Sequence, residues 1–254
     1  MLDFTVIIPA RYASSRFPGK PLADIAGKPM VVHVAQRAAQ SGAAEVLIAT
    51  DHPGIAAAAK QYGFEAVMTR GDHASGTDRV AEVSLQRDHA GHHVVVNIQG
   101  DEPLIAPGLI REVAQNLLDH ADAAVSTACH PIRDAADITN PNVVKVVLDH
   151  QGYALYFSRA PIPYARDAFA GGIASVPAGL PAYRHIGIYG YRAGFLKRYS
   201  HLASSPLEQF EALEQLRVLW HGYKISVALT QDAAPPGIDT PEDLQRLRDR
   251  LLAS

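Results

Sequence analysis

EVLIATDHPGIAAAAKQYGFEAVMT, residues 45–69, reads as one complete strand–helix–strand unit. The β-branched run EVLIAT is followed by the helical stretch IAAAAKQY. Gly63 stands where a helix C-terminus wants a left-handed residue, and FEAVMT is the next strand-like run. Working outward, FTVII before this unit, and VVVNI and AAVSTA after it, repeat the strand character, and Gly42 ends the helical segment around Val34. Short apolar runs alternating with helices are the pattern of a parallel sheet whose strands are buried on both faces, so we expect an α/β fold through the first half of the chain.

The pattern changes at Val143. VVKVVLD, the turn-like HQG and YALYFS predict an antiparallel hairpin, and the Pro-, Gly- and Ala-rich stretch 161–181 predicts an exposed excursion and a candidate interface. HIGIYGYR is a further strand. Ser205-Pro206-Leu207-Glu208 carries a capping serine, a proline at the first helical position and a capping-box glutamate, predicting a helix that runs to about His221 and stops at Gly222. In that helix Leu213, Leu216, Leu219 and Trp220 share an apolar face, opposite Glu211, Glu214 and Gln215. KISVALT is the last strand, and Thr240-Pro241 opens the last helix.

The 254 residues can fold around one α/β core, and we expect a single domain with a β-rich excursion at about 143–192. An apolar fraction of 48% with 19% charged residues is that of a globular protein. With 23 Lys and Arg against 26 Asp and Glu, no net positive field exists to hold a nucleic-acid backbone, so any phosphate binding is local. Cys129 is the sole cysteine, which excludes an internal disulfide, and its run AVSTACH reads as a buried strand-end thiol. The start of the chain does not suit a signal peptide, and no run approaches the roughly 18 apolar residues of a membrane span, so a cytoplasmic setting is the expectation.

Chemistry concentrates in three segments. In IIPARYASSRFPGKPL, residues 7–22, Arg11, Arg16 and Lys20 follow the first strand, with Ser14 and Ser15 between them. Open α/β sheets bind ligands at that strand edge, so the loop suits a triphosphate, although a solvated basic loop has the same composition. In VVVNIQGDEPL, residues 94–104, Gln99, Asp101 and Glu102 crowd a strand terminus, where an aspartate either holds Mg²⁺ against phosphate oxygens or caps a turn. Asp239, in PPGIDTPEDL, reads as a turn or helix-cap acid. No G-x-G-x-x-G follows a strand and no Walker-type loop occurs, which disfavours NAD and P-loop chemistry. The histidines of HAGHH, residues 89–93, are expected to be solvated, and no zinc is assigned.

In their order along the chain, IIPARYASSRFPGKPL, ATDH, SGTDRVAE, VVNIQGDEP, NPNVVKVVLD, GYALYFSRAPIP, RHIGIYGYR, SPLEQFEALEQLRVLW and GIDTPEDL resemble the 3-deoxy-manno-octulosonate (Kdo) cytidylyltransferases. The resemblance implies a Rossmann-like, mostly parallel sheet of the nucleotide-diphospho-sugar transferase type with a smaller β-rich dimerisation part. It implies CTP and Kdo as substrates, Mg²⁺, a cytoplasmic homodimer, and a product, CMP-Kdo, destined for lipopolysaccharide. Ala10, Arg11, Ser14, Arg16 and Lys20 become the triphosphate loop, with Arg11, Arg16 and Lys20 catalytic. Ser75, Gly76 and Arg79 complete the nucleotide pocket, with Gln99 at its border with the sugar. Asp101 and Asp239 become the metal carboxylates, and Arg159, His185, Tyr189, Glu214 and Gln215 meet the sugar. Competing readings are a cytidylyltransferase for nonulosonic acids such as sialic acid, and a CTP-binding protein without catalysis.

Overall fold

A computed structural model describes residues 2–13, 17–231 and 237–252. The chain runs β1 (Phe4–Ala10), a short 3₁₀ turn (Lys20–Leu22), β2 (Asp24–Ile25), β3 (Lys28–Pro29), α1 (Met30–Gln40), β4 (Glu45–Thr50), α2 (Pro53–Gln61), β5 (Glu65–Met68), α3 (Gly76–Gln86), β6 (Val94–Asn97), α4 (Pro107–Asp119) and β7 (Ala123–Pro131). It continues through α5 (Ala135–Thr139), β8 (Lys145–Leu148), β9 (Ala154–Ser158), β10 (Tyr183–Arg192), α6 (Ala193–Tyr199), α7 (Pro206–Glu211), α8 (Leu216–Trp220), β11 (Lys224–Leu229) and α9 (Pro241–Leu252).

One sheet of nine strands carries the molecule, in the order β11-β7-β10-β6-β1-β4-β5, with β8 and β9 attached beside β10. The pairs β6–β1, β1–β4, β4–β5 and β11–β7 are parallel, as the alternating pattern predicts. Neighbouring residues of β1 face opposite cores: Phe4, Val6 and Ile8 pack with α1 and α4, while Ile7 packs with α3 and α6. Both faces are covered, hence the unbroken apolar runs.

The parallel run is interrupted at a place that no local pattern predicts. β10 lies antiparallel between β6 and β7, so AAVSTA is separated from VVVN by a strand from the far side of the hairpin. Gly190 makes the insertion possible, because a Cβ there would come within 2.5 Å of Ser126 Oγ. The hairpin β8–β9 forms as expected.

Local signals hold well. Ser205 and Glu208 form a capping box on α7, Thr240 Oγ1 accepts from Asp243 N at 3.2 Å, and Gly42, Gly63 and Gly222 sit at positive φ after their helices; a cap the sequence reading did not name, Ser75, opens α3. Cys129 is fully buried in β7, and burial pushes its thiol up to about 12.

Three expectations need correction. The single helix over 205–221 is two short helices, broken at Ala212, whose backbone is left-handed (φ 50°, ψ 50°). Leu213 and Leu216 are buried as expected, but Trp220 is 55% exposed and Gln215 only 7%. The stretch 161–181 is only partly exposed, since Phe169 folds back with Ile132, Ile138, Val143 and Ala182 into a satellite core. Of the histidines in HAGHH, His89 and His93 are half-buried: their rings pack at 4.6 Å, His89 bonds with Ser84, and His93 bonds with Thr5.

Candidate active site

The carboxyl ends of β1 and β6 lie side by side, and the chain leaves both through loops that face one cleft of about 250 Å³. Gly100 permits this approach, for a Cβ there would stand 3.0 Å from the Pro9 carbonyl oxygen. From β1, Ala10 and Arg11 line the cleft; Ser14 and Arg16 lie outside the described residues. The loop closes on itself where Gly19 N donates to Tyr12 O at 3.0 Å, and the Tyr12 ring stacks on His52 at 4.1 Å. Lys20 follows at the start of the 3₁₀ turn.

Lys20 is the electrostatic centre. Its Nζ donates to Asp101 Oδ2 at 2.5 Å and to Asp239 Oδ1 at 3.4 Å. Asp239 arrives from the far end of the chain because Ile238 N donates to Asp101 O at 2.8 Å. The two carboxylates named in the sequence thus converge on one ammonium. Their hard oxygens suit Mg²⁺, which takes one or two carboxylates and fills its remaining positions with water and phosphate. Glu102 beside them is pushed up to about 8, first by burial and then by the Asp101 charge. It therefore carries a proton near neutral pH and adds little negative charge to the pair.

The opposite wall is the start of α3. Ser75 and Gly76 border the cleft, as does Arg79, whose guanidinium is 3% exposed. Arg79 donates to Asp51 Oδ2 at 2.9 Å, to Arg70 O at 3.2 Å and to Thr69. His73, which sequence reasoning passed over, also lines this wall and is held by Glu82. Burial works against ionisation of Glu82, but its bonds to His73 and the Arg70 N–H bring it below the usual carboxylate range. Cations, a helix N-terminus and a carboxylate pair around one cleft are what a nucleoside triphosphate with its metal requires.

Gln99 belongs to this cleft and to a second, inner cavity of about 50 Å³. Tyr189, Glu214 and Gln215 line the inner cavity, together with Thr77, Asn97, Tyr191 and Tyr199, which the sequence reading missed. A signal for Tyr191 was present: it stands two residues from Tyr189 on β10, so strand alternation sends the pair to one side. The break at Ala212 is what turns Glu214 and Gln215 inward. Tyr199 donates to Glu214 Oε1 at 2.5 Å, and burial, then the Glu214 charge, raise the Tyr199 hydroxyl well above its usual range, so it remains a donor.

His185 and Arg159 stand outside both cavities. His185 lies behind Tyr189, with ring centroids 5.5 Å apart, and bonds to Thr127 at 2.9 Å; burial lowers it to about 3, which keeps the ring neutral. Arg159 commits its guanidinium to main-chain carbonyls: Nε to Glu211 O at 2.6 Å, one terminal nitrogen to Pro141 O at 2.8 Å and the other to Ala212 O at 3.4 Å. These bonds brace the break between α7 and α8.

The chain matches the family model described as cytidylyltransferase over residues 5–225. It is also similar to a solved structure of CMP:2-keto-3-deoxy-manno-octonic acid synthetase complexed with CTP, at 44% identity and a TM-score of 0.88, covering 99% of this chain and 98% of that one. A cleft suited to a triphosphate at the carboxyl edge of the sheet, a family model spanning most of the chain and a relative alike over its whole length place this chain in the cytidylyltransferase family.

Proposed function

We propose that this chain transfers CMP from CTP to the anomeric hydroxyl of Kdo, giving CMP-Kdo and pyrophosphate for lipopolysaccharide synthesis in the cytoplasm. The observation that carries the reading is the junction at Gln99 between a cleft of cations and carboxylates and a small cavity lined by tyrosines, Glu214 and Gln215. A nucleotide in the first places its α-phosphate beside an acceptor in the second. The relation to a synthetase solved with CTP favours Kdo over other acid sugars.

In this reading the acceptor oxygen bonds to the α-phosphorus as the bond to the β-phosphate's bridging oxygen breaks, and pyrophosphate leaves with that electron pair. Arg11 and Lys20, with Arg16, draw the charge that develops on the leaving group. Gln99 holds the two substrates in register, and Glu214 and Gln215 orient sugar hydroxyls. Bound by Asp101 and Asp239, Mg²⁺ would neutralise phosphate charge and make the hydroxyl easier to deprotonate.

A homodimer built on the excursion at about 143–192 belongs to the same proposal. In its support, Leu155 on β9 is 62% exposed, Tyr164 57% and Phe210 on the adjoining α7 92%. No helix among the described residues is long and apolar enough to cross a membrane.

Pyrophosphate release from CTP with a panel of acidic sugars tests the reading. Release that needs Mg²⁺ and Kdo is expected. Release with sialic acid and not Kdo, or CTP binding without release, would replace it with one of the two competitors.

A further inference from the structure

Asn97 ends β6 and is paired across the sheet with Tyr189 of β10. It is 1% exposed, and its side-chain oxygen Oδ1 has no hydrogen-bond partner. Gln215, at the start of α8, is 7% exposed, and its Nε2 has no partner either. Both residues line the inner cavity. Leaving a buried amide atom unpaired is costly, and buried polar atoms are nearly always satisfied. Here an orphaned acceptor and an orphaned donor border the same small space.

Two of the neighbouring hydroxyls are already engaged. The Tyr199 hydroxyl is given to Glu214, and that of Tyr191 bonds to Thr77. Between them these two amides leave one acceptor and one donor unmet, and that combination selects a ligand group. A carboxylate could answer only the donor and an ammonium only the acceptor, whereas a hydroxyl both donates and accepts. The cavity's 50 Å³ is room for the hydroxyl-bearing end of a sugar or a few waters.

We infer that Asn97 is a specificity-determining residue: with Gln215 it grips a single hydroxyl of the acceptor sugar, its Oδ1 accepting the hydroxyl proton while Gln215 Nε2 donates to the same oxygen. The inference rests on the acceptor reading above and deepens it. A sugar lacking that hydroxyl leaves both amides unpaired, which is how a site built for a hydroxyl rejects its deoxy analogue.

The test is steady-state pyrophosphate release with CTP and Kdo varied in turn, for the wild type, Asn97→Leu, Gln215→Leu and the double variant, and with Kdo analogues each lacking one hydroxyl. Asn97→Leu is expected to raise the KM for Kdo about tenfold while the KM for CTP moves less than about twofold. The double variant is expected to lose much less than the product of the two single losses, because either change breaks the grip on the same hydroxyl. One deoxy analogue is expected to be handled alike by wild type and Asn97→Leu. If Asn97→Leu no longer binds CTP by calorimetry, Asn97→Ser, too short to reach the hydroxyl, replaces it with the same expectation. A KM for Kdo within twofold of wild type, or losses that multiply, would overturn the inference alone and leave water as the partner of both amides. A wild type inactive with Kdo would overturn the acceptor reading together with it.

Discussion

Asp101 and Asp239 hold one cation between them: Lys20 Nζ lies 2.5 Å from the first and 3.4 Å from the second, and Ile238 N on Asp101 O locks their loops together. Neither carboxylate packs in the core; their side chains are 26% and 51% exposed. Asp101→Ala and Asp239→Ala should therefore each lower pyrophosphate release at least about a hundredfold while leaving the thermal unfolding midpoint within a few degrees of wild type. Near-normal Mg²⁺-dependent turnover in either variant would remove that residue from the site.

Arg159 supports the other half. Because its guanidinium donates to the carbonyls of Pro141, Glu211 and Ala212, Arg159→Ala frees the left-handed turn that points Glu214 and Gln215 inward. A loss of about 1–3 kcal/mol in urea unfolding is expected, with a higher KM for the sugar and little change for CTP. Arg159→Lys should recover little, since one ammonium cannot replace the guanidinium fork. An unchanged stability combined with a large rise in the sugar KM would mean that Arg159 leaves those carbonyls to bind the sugar carboxylate directly.

His185 supplies a pH signature. Burial lowers it from the usual 6.5 to about 3, so the folded chain binds fewer protons than the unfolded chain in that window. Its contribution is fully present above pH 6.5 and is lost as pH falls toward 3, by up to about 1.4 kcal/mol per pH unit. His185→Asn should show a shallower loss of stability between pH 6.5 and pH 4.5, read from urea midpoints. Parallel pH profiles for the two proteins would show that His185 is solvated.

Much of this was legible in the sequence because the signals are local. The caps at Ser205 and Thr240 and the strand runs each depend on residues within one turn or one strand. The insertion of β10 between β6 and β7 depends on a close approach at Gly190 and Ser126, which no single-strand pattern encodes. The break at Ala212 was invisible for a similar reason: its left-handed turn is braced by Arg159, far away in the chain. Asp239 looked like a cap because nothing near it announces Lys20; only the resemblance named it. His73, Asn97 and Tyr199 were missed because a cavity is a property of several strands and helices meeting.

Lys20 leads to the last prediction. In the structure its ammonium occupies the space between the same two carboxylates that suit a divalent ion, and its side chain is 14% exposed. Two readings of Lys20 then differ in their consequences. If it is only a ligand for the triphosphate, removing it weakens CTP binding and does nothing to metal affinity in the absence of nucleotide. If it also serves as the internal counter-ion of Asp101 and Asp239, a divalent ion must displace it, and its removal should improve metal binding to the nucleotide-free protein. A unit charge at this distance contributes a few kcal/mol at most at an effective dielectric near 20, and the exposure of Asp239 reduces that further. Lys20→Met should accordingly bind Mn²⁺ about tenfold more tightly than wild type without CTP, measured by calorimetry or by the electron paramagnetic resonance of free Mn²⁺. Turnover should fall steeply in the same variant because the charge on the departing pyrophosphate is no longer met. Tighter metal binding with lost turnover supports the counter-ion role; equal Mn²⁺ affinity in the two proteins would confine Lys20 to the triphosphate.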